Sequence, residues 1–133
     1  MLKYFFAIKI SNEGFMDNNE ELLELDQALL DSYVQSLGFD MVRKMFDLYS
    51  QQVVIYMNDI QASLLSDNTL QWQEHCHKMK GAAGSVGLKA LHARLKIMEK
   101  TTASISEKDS QLTELRLHNQ QALLDFNDWL TRV

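Results

Sequence analysis

The stretch FDMVRKMFDLYSQQVVIYMNDIQASLL, Phe39 to Leu65, places apolar side chains at Val42, Phe46, Tyr49, Val53, Tyr56, Ile60 and Leu64. Steps of four and three residues return to one face of a helix. The stretch therefore reads as one long amphipathic helix, whose stripe must be buried against other helices. Upstream, DNNEELLELDQALLDSYVQSLG (Asp17 to Gly38) predicts a shorter helix with Leu22, Leu25, Leu29 and Val34 or Leu37 inward, and Gly38 as its stop. Downstream, Ser66 to Thr69 is a turn with N-cap candidates. A third helix follows from Leu70 to about Gly84, and GSVG (Gly84 to Gly87) makes a tight connection. The next helix spans Leu88 to about Thr101 with Leu88, Leu91, Leu95 and Met98 inward. The last starts near Ser106, a candidate N-cap, and carries Leu112, Leu115, Ala122, Phe126, Trp129 and Val133.

With no proline and only five glycines in 133 residues, nothing interrupts these periods. The fold class expected is all-α, an up-down-up-down four-helix bundle with an additional N-terminal helix. The length suits one domain. Residues 1–16, beginning MLKYFFAIKI, read as an N-terminal arm, and residues 17–133 as the bundle domain. No apolar run approaches the roughly 18 residues of a membrane span. The single cysteine, Cys76, cannot form an internal disulfide, which fits a reducing, cytoplasmic setting. A net charge of −5 argues against sequence-independent nucleic-acid binding. The charge is unevenly spread, however. Lys78, Lys80, Lys89, Arg94, Lys96 and Lys100 stand against the single acid Glu99 in their window, which suggests a docking surface.

That window overlaps the oddest local sequence, HCHKMKGAAGSVGL (His75 to Leu88). On a helical wheel Trp72, Cys76, Met79, Ala83 and Val86 form the buried stripe, with His75 at its edge. His77 falls on the opposite side, among Gln73, Lys80, Gly81 and Gly84. Glycine inside a helix costs about 1 kcal/mol relative to alanine. At Gly81 the position faces water, so no packing explains that cost, and a close approach by another molecule does. His75 and His77 lie on different faces and cannot chelate one metal ion together. Glu74-x-x-His77 matches the Glu-x-x-His element of di-iron bundles, but those sites need a second copy facing the interior, and none is present. Cys76, on the buried stripe, is no nucleophile.

The run HKMKGAAGSVGL from His77 resembles the phosphoacceptor signature of histidine-containing phosphotransfer (HPt) domains, His-x-x-Lys-Gly. The likeness extends through the helical pattern from about Leu25 to the C-terminus. The Gly-Ala-Ala-Gly-Ser-Val-Gly-Leu run is similar to that of the HPt domain of Arc-type anaerobic redox sensor kinases. The resemblance implies a phosphoryl carrier rather than an enzyme, with no ATP-binding domain. His77 would receive the group from a receiver domain of a hybrid sensor kinase and pass it to a response regulator. Lys80 would offset phosphoryl charge and Gly81 would admit the receiver, with Gln73 and Gly84 supporting and Lys78 and Lys89 docking the partner. No metal or cofactor is expected on this chain, Mg²⁺ belonging to the receiver, and a monomer is expected. Some family members carry a glutamine that hydrogen-bonds the acceptor histidine. The matching position here is Glu99, a carboxylate in place of an amide. The alternative is a helical module that docks to receivers without carrying phosphate.

Overall fold

The computed structural model describes residues 23–133. The expected arm over 1–16, its division from a domain over 17–133, and Leu22 lie outside them. The described chain forms five helices: α1 Gln27–Leu37, α2 Phe39–Leu65, α3 Thr69–Ser85, α4 Lys89–Glu99 and α5 Ile105–Arg132. Helix α2 packs on α3 and α5, and α4 packs on the same two, closing a four-helix bundle, while α1 lies against α2. Short connections force consecutive helices of the bundle to run antiparallel.

The helix ends follow from local chemistry. Asp26 Oδ1 accepts from Leu29 N at 3.1 Å to start α1, and Asn68 Oδ1 accepts from Gln71 N at 3.0 Å to start α3. Gly38 ends α1 as expected, with φ at +91°, and α2 begins at the next residue. The last helix begins earlier than Ser106. Ser104 caps it, because Ser104 and Glu107 form a reciprocal capping box that Ser106 lacks. Helix α4 stops at Glu99 rather than Thr101, and Lys100 is its C-cap.

The core follows the stripes with local corrections. Val42, Tyr49, Val53, Ile60 and Leu64 of α2 are buried, joined by Met57, while Phe46 and Tyr56 pack on the edge. Phe46 stacks on Phe126 at 4.7 Å between centroids, and Phe126 meets Trp129 edge-on at 5.6 Å. In α1 the buried residue is Leu30, not Leu29, and Leu37 is exposed. The expected stripe started the helical period at Leu22, but residues 23–25, the described ones before Asp26, are not helical: Leu25 pairs with Leu88 in an isolated antiparallel bridge. At the C-terminus Leu130 fills the core and Val133, beyond the helix, is exposed.

Candidate functional site

Helix α3 offers two faces of opposite character. Trp72, Cys76, Met79 and Ala83 are buried, and the indole Nε1 of Trp72 donates to the Met98 carbonyl of α4 at 2.8 Å. Burial pushes the Cys76 thiol up to about 12, with Glu99 adding to the shift. His75 is half-buried at the stripe's edge, its Nδ1 3.9 Å from Asp59 Oδ2 of α2. His77 emerges on the outer face with its side chain 65% exposed.

Glu99 at the end of α4 reaches across to that face. Its Oε2 lies 3.0 Å from His77 Nδ1 and its Oε1 2.7 Å from Lys80 Nζ. One carboxylate therefore holds two residues that sit one turn apart on α3. The Lys80 ammonium is the main reason the Glu99 carboxyl sits below the usual carboxylate range, with the His77 hydrogen bond acting the same way. An ionised carboxylate has no proton to give, so His77 Nδ1 carries the hydrogen and donates it. The neutral ring then keeps its free lone pair on Nε2.

The other expected residues fall as follows. Gly81 is exposed, and a Cβ built there meets nothing within 4 Å, so open space surrounds it. Gln73 is half-buried one turn before His77 and its side chain makes no hydrogen bond among the described residues. Gly84 is not part of the open face around His77: a Cβ there would lie 2.8 Å from His92 Nδ1 of α4. Lys78 is exposed, and Lys89 is half-buried at the start of α4. The basic field is thinner than the six residues imply. Lys80 is paired with Glu99, and Arg94 is packed between His118 and Glu114. Among the described residues Lys78, Lys89, Lys96 and Lys100 carry no ion pair.

Two residues at the site have no local sequence signal. His92 Nδ1 donates to the backbone carbonyl of Lys80 at 3.1 Å. Glu24, only 4% exposed, caps α4 from outside: its carbonyl accepts from Lys89 N at 2.8 Å and its Oε2 from Leu91 N at 3.0 Å. Its Oε1 meets His118 Nε2 at 2.6 Å, while Arg94 Nε donates to the other ring nitrogen at 2.8 Å. These contacts join residues 12 to 94 positions apart, and no periodicity or motif announces them.

Comparison with known proteins adds the family. The Hpt domain family model matches residues 44–127. The aerobic respiration control sensor protein ArcB of Escherichia coli O157:H7 is 28% identical over 94 residues, and that of strain K12 is 27% identical. Each alignment covers 68% of this chain and 12% of the sensor protein, so the chain matches only a small part of those relatives. The solved histidine-containing phosphotransfer domain of ArcB from Escherichia coli superposes with a TM-score of 0.74 at 21% identity. That superposition covers 82% of this chain and 94% of the solved domain, which establishes the shared fold.

Proposed function

The chain belongs to the Hpt domain family, and on that footing we propose that His77 accepts a phosphoryl group from a receiver-domain aspartate and passes it to a response-regulator aspartate. The observation that carries this reading is the Glu99 carboxylate 3.0 Å from Nδ1 of an exposed histidine, which leaves the Nε2 lone pair free as the nucleophile. The Nε2 lone pair attacks phosphorus, an N–P bond forms, and the acyl O–P bond breaks to release the partner's aspartate carboxylate. Positive charge gathers on the ring as this happens. The Nδ1 proton stays on its hydrogen bond to Glu99, whose negative charge offsets that build-up. The return step runs the same path backwards. Such a transfer needs in-line positioning and charge stabilisation, and little covalent chemistry from the protein.

Lys80 has a second task besides holding Glu99. Its ammonium stands one turn from His77, and it turns to the phosphoryl oxygens once these arrive as a stronger anionic partner. Gly81 leaves room for the receiver's loops over the ring. Lys78 and Lys89 face the acidic receiver surface. The Mg²⁺ that the reaction uses sits on the receiver, and the chain works as a cytoplasmic monomer. The similarity to ArcB supports an Arc-type donor and regulator.

The deciding experiment is transfer from a phosphorylated receiver domain to the purified protein. Acid-labile label is expected on wild type and absent from His77→Gln, with His75→Gln still labelled. Label on His77→Gln overturns the assignment. No label on wild type, with receiver binding intact, makes the chain a docking module.

A further inference from the structure

Helix α4 touches the acceptor face of α3 at two places. Glu99 and His92 are seven residues apart, about two turns and so on one side of α4. Glu99 meets His77 and Lys80 through their side chains. His92 meets Lys80 through its backbone carbonyl, 3.1 Å from Nδ1. A carbonyl only accepts, so Nδ1 carries the proton and the ring is fixed in orientation. The half-buried ring reaches that carbonyl because residue 84 is glycine: an added Cβ would stand 2.8 Å from Nδ1 and 3.4 Å from Cε1. Relieving such a contact means swinging the ring, which breaks the bond to Lys80.

We infer that His92, seated on Gly84, is a positioning residue for phosphotransfer: it fixes the register of α4 against α3 so that Glu99 meets both His77 and Lys80. The inference rests on His77 as acceptor but is read separately from it. Gly84 accordingly serves the α3–α4 contact rather than the receiver's approach. Helix α4 has only 11 residues and no side-chain cap of its own, so its register depends on such tertiary contacts. A shift of an ångström at the reacting centre costs up to a hundredfold in rate.

The test uses the full chain with four substitutions. His92→Phe keeps the ring and loses the donor, and His92→Asn keeps a donor near the place of Nδ1. Gly84→Ala is made alone and in a His92→Ala background. The first reading is the imidazole ¹⁵N spectrum of His77 in the unphosphorylated protein, where the Glu99-bound tautomer gives one protonated Nδ1 and one free Nε2. The second is the rate of transfer from a phosphorylated receiver. His92→Phe and Gly84→Ala should each move the His77 resonances toward averaged tautomers and slow transfer about tenfold. His92→Asn should restore both. Gly84→Ala should add nothing once His92 is already alanine, because no ring is left to displace. Unchanged His77 resonances in His92→Phe and Gly84→Ala, or an equal effect of Gly84→Ala in both backgrounds, overturn the inference. Failure of wild type to take up label leaves the spectroscopic arm in force and counts only against the acceptor role of His77.

Discussion

At the scale of single residues, Glu99 carries opposing demands. It holds His77 Nδ1 and Lys80 Nζ at once, and the negative charge that favours attack by Nε2 also repels the phosphoryl group after transfer. Replacing it by glutamine keeps an acceptor oxygen for Nδ1–H, removes that repulsion and frees Lys80 for the phosphoryl oxygens. Both changes favour phosphohistidine. Glu99→Gln should shift the transfer equilibrium toward phosphorylated His77 by roughly fivefold, the equivalent of about 1 kcal/mol between partly solvated charges. An equilibrium constant unchanged within error removes Glu99 from the reaction. The same carboxyl gives a pH signature. Because the Lys80 pair lowers its folded-state pKa, the pair's contribution to stability is present above the unfolded value of about 4.3. It is lost as pH falls through the lower folded value. The stability gap between wild type and Lys80→Met should narrow as pH falls below the unfolded value and close below the folded one, and the Glu99 carboxyl should titrate higher in Lys80→Met. Cys76, next to His77 in sequence, is the contrast. With burial pushing its thiol up to about 12, the thiolate fraction at pH 8 is on the order of one in ten thousand. Native protein should resist alkylation that denatured protein undergoes at once, and rapid native labelling would show that α3 opens.

At the scale of the helices, two glycines make opposite predictions. Gly81 lies inside α3 with open space where a Cβ would go, so Gly81→Ala should stabilise the fold by up to about 1 kcal/mol. Gly81→Gln should leave the fold intact yet slow transfer, since the larger side chain fills the approach to His77. A stabilised variant with unaltered transfer would leave the glycine without a functional reason. Gly87 sits between α3 and α4 with φ at +83°, and a Cβ there would be 2.9 Å from Leu30 Cδ2. Strain and overpacking act together, so Gly87→Ala should cost about 2–3 kcal/mol in chemical denaturation. The sequence conveys the difference only in part. The exposure of His77 and Gly81 follows from helical periodicity, because the wheel needs no tertiary information, and the α2 stripe does too. Position 84 could not be read so, since its neighbour His92 comes from the next helix. The first stripe holds at Leu25 and Val34, which pack on the core, but its helical start misleads for a related reason. Leu25 looks helical by spacing, yet its pairing with Leu88 and the burial of Glu24 keep it out of the helix.

At the scale of the whole molecule, Glu24 ties the start of the described chain to the site. Leu88 stands at the N-cap of α4 with no side-chain cap, and the first turn of any helix has amide hydrogens without internal partners. Glu24 supplies partners for Lys89 N through its carbonyl and for Leu91 N through Oε2. Its charge also sits at the positive end of the α4 dipole. On its other side Oε1 meets His118 Nε2, both side chains only 2% exposed. His118 in turn accepts from Arg94, which reaches Glu114. One buried carboxylate thus joins the segment before α1 to α4 and α5, and α4 is the helix that brings His92 and Glu99 to α3. Glu24→Ala leaves the Leu91 amide and the His118 imidazole without this acceptor in a buried place. Breaking such a charged, buried contact costs about 3 kcal/mol, and the loss should appear in urea denaturation with the slope unchanged. Hydrogen exchange at Leu91 should accelerate more than exchange in α2. Glu24→Gln, which keeps one acceptor oxygen but no charge, should lose less than the alanine variant. If Glu24→Ala unfolds within 0.5 kcal/mol of wild type and Leu91 exchanges as before, α4 is held by its apolar face alone.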